Sequence, residues 1–449
     1  MRRIARSRSQ QASTTTKRSK ASWHLLAREH RRLEAVHEVP RSVKTEALQV
    51  ESWPRFIREM NPAETLTRMA PFLREIGVSR IADISGLDSI GLPVAVAYRP
   101  NARSLATCHG KGGTLTEAKT SAVMEALERH CAENPKIALR YACFNELLDE
   151  GRVVDLDILP RIVEAPPSKS RRILWTRATG MITGENVWVP FETVHLDYAL
   201  PLPANLECLL IGSGGLAAGN TIKEAAVHAI TELIERDALT LWRSRGAATQ
   251  ETAVDLESVD DPWCSDVLKT LNRSDTRTAV WDMTSDLGVP AFFCEIWPGD
   301  SSTFRNVGPA AGSACHPISG IALGKAVVEA VQSRLTMISG TRDDLTREMF
   351  VRGQPQPPLN EATTSRGKAF SDIPSALDSA GIDDALDDLL CRMRLAGIDE
   401  PLIVDLSHSG IPAAVVRVIA PGLEGSCDAP GYIAGMRARR LAAFRDGNG

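Results

Sequence analysis

Residues 228–237 read HAITELIERD and residues 121–129 read SAVMEALER. Each carries Glu-x-x-Glu-Arg near the close of an otherwise apolar helical stretch. Ahead of the first of these, Thr221 stands as an N-cap with Glu224 three residues on, the spacing of a capping box. Glu232 and Glu235 follow eight and eleven residues after Glu224. At about 100° per residue the three carboxylates fall within about 80° of one another and share one stripe. Glu117, Glu125 and Glu128 repeat that spacing after Thr114 or Thr116, with Arg129 and Arg236 in the equivalent place. The segment AAVHAITELI (225–234) is apolar nearly all round, the mark of a helix buried on most sides. A solvated acidic face is the ordinary reading of such acids, and it fits poorly in these surroundings. Buried carboxylates are costly without partners. Gathered together they raise one another's pKa unless cations hold them ionised. Mg²⁺ takes oxygen ligands, keeps waters and bridges carboxylates to nucleotide phosphates. The acid stripes therefore predict a Mg²⁺–phosphate site between the repeat helices.

The helices belong to a wider repeat. One half is a turn followed by an apolar strand: DISGLDSIGLPVAVAY (83–98), DMTSDLGVPAFFCEI (282–296) and DLSHSGIPAAVVRVI (405–419). Each has Asp, an apolar residue, Ser or Thr, a Gly-x-Pro turn and a strand. The other half is a small-residue loop opening a helix: CHGKGGTLTEAKTSAVMEALERH (108–130), GSGGLAAGNTIKEAAVHAITELIERD (212–237) and GSACHPISGIALGKAVVEAVQSR (312–334). Repeated strand and helix units imply an α/β fold. The loops GKGGT (110–114) and GSGGLAAGN (212–220) let backbone N–H groups approach phosphate at helix N-termini. Neither is a Walker A loop, and no strand–GxGxxG–helix unit exists, so the fold is neither P-loop nor Rossmann. Lys111 is suited to neutralise phosphate, and Asn220 to act as a cap or as a metal or phosphate ligand. There is no H-E-x-x-H and no G-x-S-x-G elbow. His109, His228 and His316 lie near the three loop–helix units, with His228 reading as a core residue. Cys108 and Cys315 read as buried inert thiols rather than nucleophiles.

With 449 residues, 43% of them hydrophobic, the chain can build a sizeable core. A net charge of -4 argues against nucleic acid or an anionic membrane as partner. No apolar run approaches the roughly 18 residues of a membrane helix, and no apolar signal core stands near the start. The nine scattered Cys hold no C-x-x-C pair, which fits the reducing cytoplasm and excludes a zinc ribbon or disulfide framework. Residues 1–22 read as a basic disordered tail. Residues 23–75 read as a helical N-terminal extension broken at Pro40, Pro54 and Pro62. Residues 76–449 read as the catalytic domain, with a core at 76–425 and a soft loop at 353–367.

These motifs resemble the YcaO superfamily, ATP-dependent enzymes that activate backbone amides of peptides and proteins. The resemblance runs from about residue 76 to 425. It rests on three signatures. Ser-x-x-x-Glu-x-x-Glu-Arg is present as Ser121, Glu125, Glu128 and Arg129. The Gly-Leu-Ala-x-Gly-Asn loop and its helix run from Gly215 to Asn220, then Glu224, Glu232, Glu235, Arg236 and Asp237. Arg-x-x-x-Glu-x-x-Gln is matched by Lys325, Glu329 and Gln332. The resemblance implies a YcaO-type ATP-binding fold. It implies that Glu125, Glu128, Glu224, Glu232, Glu235 and Glu329 hold Mg²⁺. It further implies that Lys111, Ser121, Arg129, Asn220, Arg236, Lys325 and Gln332 contact ATP and its phosphates. No catalytic base is assigned. Two departures stand out. Lys325 replaces the usual Arg, which keeps the charge and loses the bidentate fork, and Gly214 stands where many members have Asn.

The reaction implied is ATP-dependent O-phosphorylation of a backbone amide attacked by a nucleophile. A Cys, Ser or Thr side chain as nucleophile yields an azoline; external sulfide yields a thioamide. Azoline-forming members commonly end in Pro-x-Pro-x-Pro, whereas this sequence ends LAAFRDGNG, and residues 1–75 are short for a fused partner domain. The DISGLDSIGLPV segment followed closely by GKGGT is most similar to members that work beside a separate TfuA protein. The expectation is thioamidation of a peptide or protein, with sulfur supplied through a TfuA-like partner. An azoline-forming cyclodehydratase and a non-catalytic ATP-binding accessory protein are the alternatives, and a homodimer is open.

Overall fold

The computed structural model describes residues 58–246, 251–299, 308–347, 367–373, 375–377 and 381–446, all within one compact unit, Val50–Gly449. The basic tail, most of the N-terminal extension and nearly all of the 353–367 loop lie outside the described residues.

The chain opens with α1 (Pro62–Met69), β1 (Arg80–Asp83), β2 (Val94–Tyr98), β3 (Thr107–Lys111) and α2 (Leu115–Glu133). Next come β4 (Arg140–Ala142), α3 (Phe144–Leu148), β5 (Arg152–Val153), β6 (Ile173–Gly180), β7 (Asn186–Pro190), β8 (Leu216–Gly219) and α4 (Ile222–Ser244). Then follow β9 (Val254–Asp255), α5 (Pro262–Arg273), β10 (Thr276–Asp282), β11 (Ala291–Pro298), β12 (Ala310–Cys315) and α6 (Ser319–Ser339). The chain continues with β13 (Lys368–Ala369), α7 (Ile382–Leu395), β14 (Leu402–Asp405), β15 (Ala414–Ile419) and α8 (Met436–Asp446).

The sequence repeat becomes three modules of one design: a hairpin, a third antiparallel strand and a helix. They are β1-β2-β3 with α2, β10-β11-β12 with α6, and β14-β15-β8 with α4. The last is permuted in sequence, since its helix precedes its hairpin. It also sits at one end of a larger sheet ordered β5-β7-β6-β14-β15-β8, to which β4 adds alongside β6. In each module the helix follows the third strand instead of crossing over between parallel strands, so the three strands of each module are antiparallel, while β5 joins β7 in parallel in the larger sheet.

The repeated Asp-x-Ser/Thr is an Asx turn that fixes each hairpin. Asp83, Asp282 and Asp405 each end a first strand. Their Oδ1 atoms accept from the amides of Ser85 (3.0 Å), Thr284 (3.0 Å) and Ser407 (2.9 Å). The same three hydroxyls accept from the second strand, at Val94 (3.0 Å), Ala291 (3.1 Å) and Val415 (3.1 Å). Small residues let each helix lie directly on its strand. A Cβ on Gly110 would stand 2.0 Å from the carbonyl oxygen of Ala118, and one on Gly312 would stand 2.3 Å from the amide of Ala330.

The strands β3, β8 and β12 are each at the end of their sheet's order. Each helix packs on its own end strand and on that of the next module: α2 on β3 and β8, α4 on β8 and β12, α6 on β12 and β3. The three modules thus close into a cycle, with the helices between three strand edges. A sheet edge exposes unpaired amides, and the helix acids are positioned to use them.

Candidate functional site

The first acid on each helix shows that equal spacing does not mean equal duty. Thr114 caps α2 by accepting the Glu117 amide at 3.2 Å, and the Glu117 carboxylate returns to the amides of Gly113 (2.8 Å) and Thr114 (3.2 Å). This closes a complete capping box. Thr221 accepts the Glu224 amide in the same way, at 3.2 Å. Here the box stays open. The Glu224 carboxylate accepts from Asn220 Nδ2 (3.0 and 3.2 Å) and from the Glu59 amide (3.4 Å), and pairs with Arg58 at 3.5 Å. Asn220 Oδ1 in turn accepts from Thr65 Oγ1 at 3.0 Å.

The Glu-x-x-Glu-Arg frames serve the module cycle. The first Glu of each frame holds an amide of its own module and pairs with the Arg four residues on. Glu125 accepts from the His109 amide at 3.0 Å and from Arg129 at 2.8 and 3.0 Å. Glu232 accepts from the Gly215 amide at 3.2 Å and pairs with Arg236 at 3.5 Å. The second Glu reaches the next module. Glu128 on α2 accepts from the Ala218 amide in β8 at 2.8 Å, and Glu235 on α4 accepts from Ser313 Oγ in β12 at 2.6 Å. The third helix closes the ring, with Glu329 on α6 paired to Lys111 in β3.

The electrostatics follow from crowding. Burial pushes the Glu128 carboxyl well above its ordinary range, and the neighbouring charges of Glu125 and Glu232 add to the effect. Burial also raises Glu232, against the pull of Arg236. Glu235 is raised by burial and, against Arg236, by Glu329. Glu329 resists burial because Lys111 and Arg236 hold it below its ordinary value. Lys325 is lowered by burial, then by Lys111 and Arg58. Yet these groups are reachable: the side chains of Glu125 and Glu329 are 27% and 28% exposed. Deep acids open to solvent define a cleft.

Of the residues singled out from sequence, Lys111, Glu125, Glu128, Arg129, Glu232, Glu235, Arg236 and Glu329 form one linked set through these contacts and charges. Glu224, two turns earlier on α4, lies with Asn220, which stands just ahead of that helix. Lys325 lines a small open pocket of about 40 Å³ with Arg58, Glu224, His228 and His316. Ser121 and Gln332 are half-buried, one turn before Glu125 and one turn after Glu329. His228 is exposed in this pocket and not a core residue. Cys108 and Cys315 are buried, and burial raises both thiols far above the reactive range, as inert thiols require.

Sequence reasoning passed over Arg58, Ser313 and Arg417. Arg417 is 1% exposed and donates to the carbonyls of Gly212 (2.6 Å), Gly214 (2.7 Å) and Val194 (3.2 Å). It anchors the glycine loop that delivers the Gly215 amide to Glu232. An Arg inside the apolar strand AVVRVI was a readable signal; Arg58 and Ser313 carried none.

Residues 109–424, well over half of the chain, match the family described as YcaO cyclodehydratase, ATP- and Mg²⁺-binding. The chain belongs to the YcaO family. A Rhizobium leguminosarum bv. trifolii protein called an uncharacterized protein in the tfuA 3' region is 34% identical over 85% of this chain and 92% of its own length. An uncharacterized Methanothermobacter thermautotrophicus protein is 32% identical over 81% and 94%. Among solved structures, a heterocyclase in complex with substrate and cofactor superposes with a TM-score of 0.69 at 22% identity, covering 87% of this chain. This chain spans about half, 55%, of that heterocyclase. The YcaO of Methanopyrus kandleri bound with AMPPCP and Mg²⁺ superposes with a TM-score of 0.63 at 21% identity, over 82% and 92% of the two chains. The fold is the YcaO fold. YcaO family members are ATP-dependent enzymes, and the family is ATP- and Mg²⁺-binding.

The residues present fit that cation. Glu128 and Glu235 are crowded by further carboxylates, a repulsion that a divalent ion relieves. The donors are carboxylates alone, the set that suits a hard cation. Among the described residues no three acids, His or Cys are already gathered as a metal cage. Mg²⁺ takes one or two carboxylates and fills its shell with waters and phosphate oxygens.

Proposed function

We propose that this YcaO protein uses Mg·ATP to phosphorylate the oxygen of a peptide or protein backbone amide, forming a thioamide with sulfur delivered through a TfuA-type partner. One observation carries the choice of thioamide: the 34% identical relative, matched over 92% of its length, is described by its position in the tfuA 3' region. In this reaction sulfide adds to the amide carbon, forming a C–S bond while the carbonyl π electrons move to oxygen. That oxygen attacks the terminal phosphorus of ATP, and ADP leaves. The C–O bond then breaks with departure of phosphate, the sulfhydryl proton is lost and C=S forms. One sulfide and one ATP are consumed, and ADP and phosphate are released.

The roles assigned to this chain's residues follow from their charge. Glu125, Glu128, Glu232, Glu235 and Glu329 would hold Mg²⁺, with Glu224 as a further acid beside Asn220. The bound cation neutralises phosphate charge. Arg129, Arg236 and Lys111 lie beside these acids and supply the remaining positive charge, with Ser121, Asn220, Lys325 and Gln332 as further ATP contacts. The backbone amides of His109, Gly215 and Ala218 hold the carboxylates in register, a preorganisation that favours the charged transition state. Nine free cysteines agree with a reducing cytoplasm.

A second reading has support. The family description is cyclodehydratase and a structural neighbour is a heterocyclase, which favours azoline formation from Cys, Ser or Thr. The decisive assay offers peptides, sodium sulfide and Mg·ATP with and without a TfuA protein, and follows ADP and peptide mass. Thioamidation requires ADP formation that depends on peptide and sulfide, with exchange of oxygen for sulfur. Loss of water from the peptide without sulfide refutes it in favour of the azoline. Nucleotide binding without turnover in any arm leaves an accessory role.

A further inference from the structure

The β10-β11-β12 sheet carries, on the face turned away from α6, a patch that the phosphate chemistry does not use. In the strand registers Ala279 pairs with Glu295 and Glu295 with Ala311, while Trp281 pairs with Phe293 and Phe293 with Ser313. Side chains alternate across a strand, so these two rows share one face, and the pair Arg277 and Trp297 is the next row on it. The opposite face lies on α6, where a Cβ on Gly312 would meet the Ala330 amide at 2.3 Å. The row Ala279–Glu295–Ala311 is thus a trough with one long side chain on its floor. Trp281 and Phe293 stand on one side of it and Trp297 on the other.

The floor of the trough lacks a counter-charge. Glu295 is half-buried, and burial raises its carboxyl with no cation to offset it. Among the described residues no hydrogen bond or ion pair holds that carboxylate. Arg277, diagonal to it, has an interaction of its own. The walls hold unmet donors. Trp281 and Trp297 are 6% and 3% exposed, and neither indole Nε1 has a hydrogen-bond partner, although buried donors are ordinarily met. The aromatic wall already accepts a cation: Arg243, paired with Asp428, lies over the Phe293 ring at 5.8 Å. A free carboxylate between aromatic rings, with only alanines to either side, suits a guanidinium or ammonium group.

We propose that Glu295 is a specificity-determining residue that binds a basic side chain, Arg or Lys, of the peptide substrate in this trough, against Phe293 and Trp297. Its place agrees with that role. Ser313, whose hydroxyl holds Glu235 at 2.6 Å, is the diagonal neighbour of Glu295 across β11 and β12. Such neighbours are about 7–8 Å apart, which about two residues of extended peptide span. The basic residue therefore lies close in sequence to the amide that is activated beside Glu235. The inference rests on the proposed function for its peptide substrate and adds the side chain that this substrate must carry.

The test titrates the full chain with N-acetyl-arginine methylamide and with its neutral norleucine analogue, followed by calorimetry and tryptophan fluorescence. Wild type is compared with Glu295→Gln and Trp297→Phe. Glu295→Gln is close to isosteric and removes a charge that burial disfavours, so it should fold. The arginine amide should bind saturably, more weakly as salt rises, and the norleucine amide should not. Losing the charge-assisted bonds predicts a fall of about 10- to 100-fold in Glu295→Gln, and a poorer cation–π partner a fall of about 2- to 5-fold in Trp297→Phe. Equal binding of the two amides, or unchanged affinity in Glu295→Gln, overturns the inference. So does a TfuA protein that binds wild type more tightly than Glu295→Gln while neither amide binds, because the carboxylate then belongs to a partner interface. Mg·AMPPCP is titrated into the same variants, and a parallel loss in Glu295→Gln would place the residue in the nucleotide site and overturn the inference as well. If wild type binds the arginine amide through Glu295 but no Mg·AMPPCP, the subsite stands and the proposed function falls.

Discussion

Glu128→Gln separates a cation site from a structural acid by the sign of its effect. Glutamine keeps an oxygen able to accept the Ala218 amide now held at 2.8 Å. It removes a charge that burial, Glu125 and Glu232 all disfavour, against the pull of the Ala218 amide and the weaker attraction of Arg129. Without metal and nucleotide, the variant should be more stable than wild type by on the order of 1 kcal/mol, or roughly 2 °C in a chain of this size. With ligand the order should invert. Removing a metal-holding carboxylate is expected to cost at least the ~100-fold that outer partners of metal ligands reach. At a Mg·AMPPCP concentration one hundred times the wild-type Kd, wild type gains about 2.7 kcal/mol and the variant forfeits most of it. Thermal unfolding of both proteins, with and without Mg·AMPPCP, reads the crossover directly. A variant less stable than wild type in the absence of ligand, with the same ligand-induced shift, would refute the reasoning and make Glu128 a tie between α2 and β8.

Three further outcomes follow from the packing. Gly110→Ala puts a Cβ 2.0 Å from the Ala118 carbonyl and 2.2 Å from the Ala122 amide; with helix backbone as the obstacle, the loss should be about 3 kcal/mol in a denaturant titration. Arg417→Met leaves three buried carbonyls without their donor and should cost about 3 kcal/mol. Because the Gly212–Gly215 loop is freed, Mg·AMPPCP affinity should fall in the same variant. Glu133 is 2% exposed and bound by Arg99 (2.7 and 3.3 Å) and by Ser104 (2.6 and 3.1 Å). Burial would raise its carboxyl, but these partners hold it below the ordinary 4.5. A depressed carboxyl stabilises the fold above its unfolded value, and that contribution is lost as pH falls through the folded one. Glu133→Gln should therefore cost about 3 kcal/mol at neutral pH, with the gap closing below pH 4.5 in urea titrations across pH.

What a sequence can disclose here divides at the boundary between local and non-local bonds. The Asp-x-Ser/Thr turns were legible because donor and acceptor lie within ten residues, and the hairpins formed where the repeat set them. The acid stripes were legible because helical periodicity alone decides which carboxylates share a face. Glu224 marks the limit of that logic. Its spacing from Thr221 equals that of Glu117 from Thr114, yet its carboxylate serves Asn220, Arg58 and Glu59. The partner that decides between the two duties lies 165 residues away in the chain. The same holds for the second Glu of each frame. Glu128 and Glu235 look interchangeable, and each is spent on the neighbouring module, one on a strand amide and the other on a serine hydroxyl. These bonds exist because three sheet ends meet around the helices, a closure that no single repeat encodes. It also explains why the frame recurs. An acid that only capped its own helix would need no Arg beside it. A buried acid crowded by carboxylates from the neighbouring helices does need a cation beside it, and Arg129 and Arg236 supply it to Glu125 and Glu232.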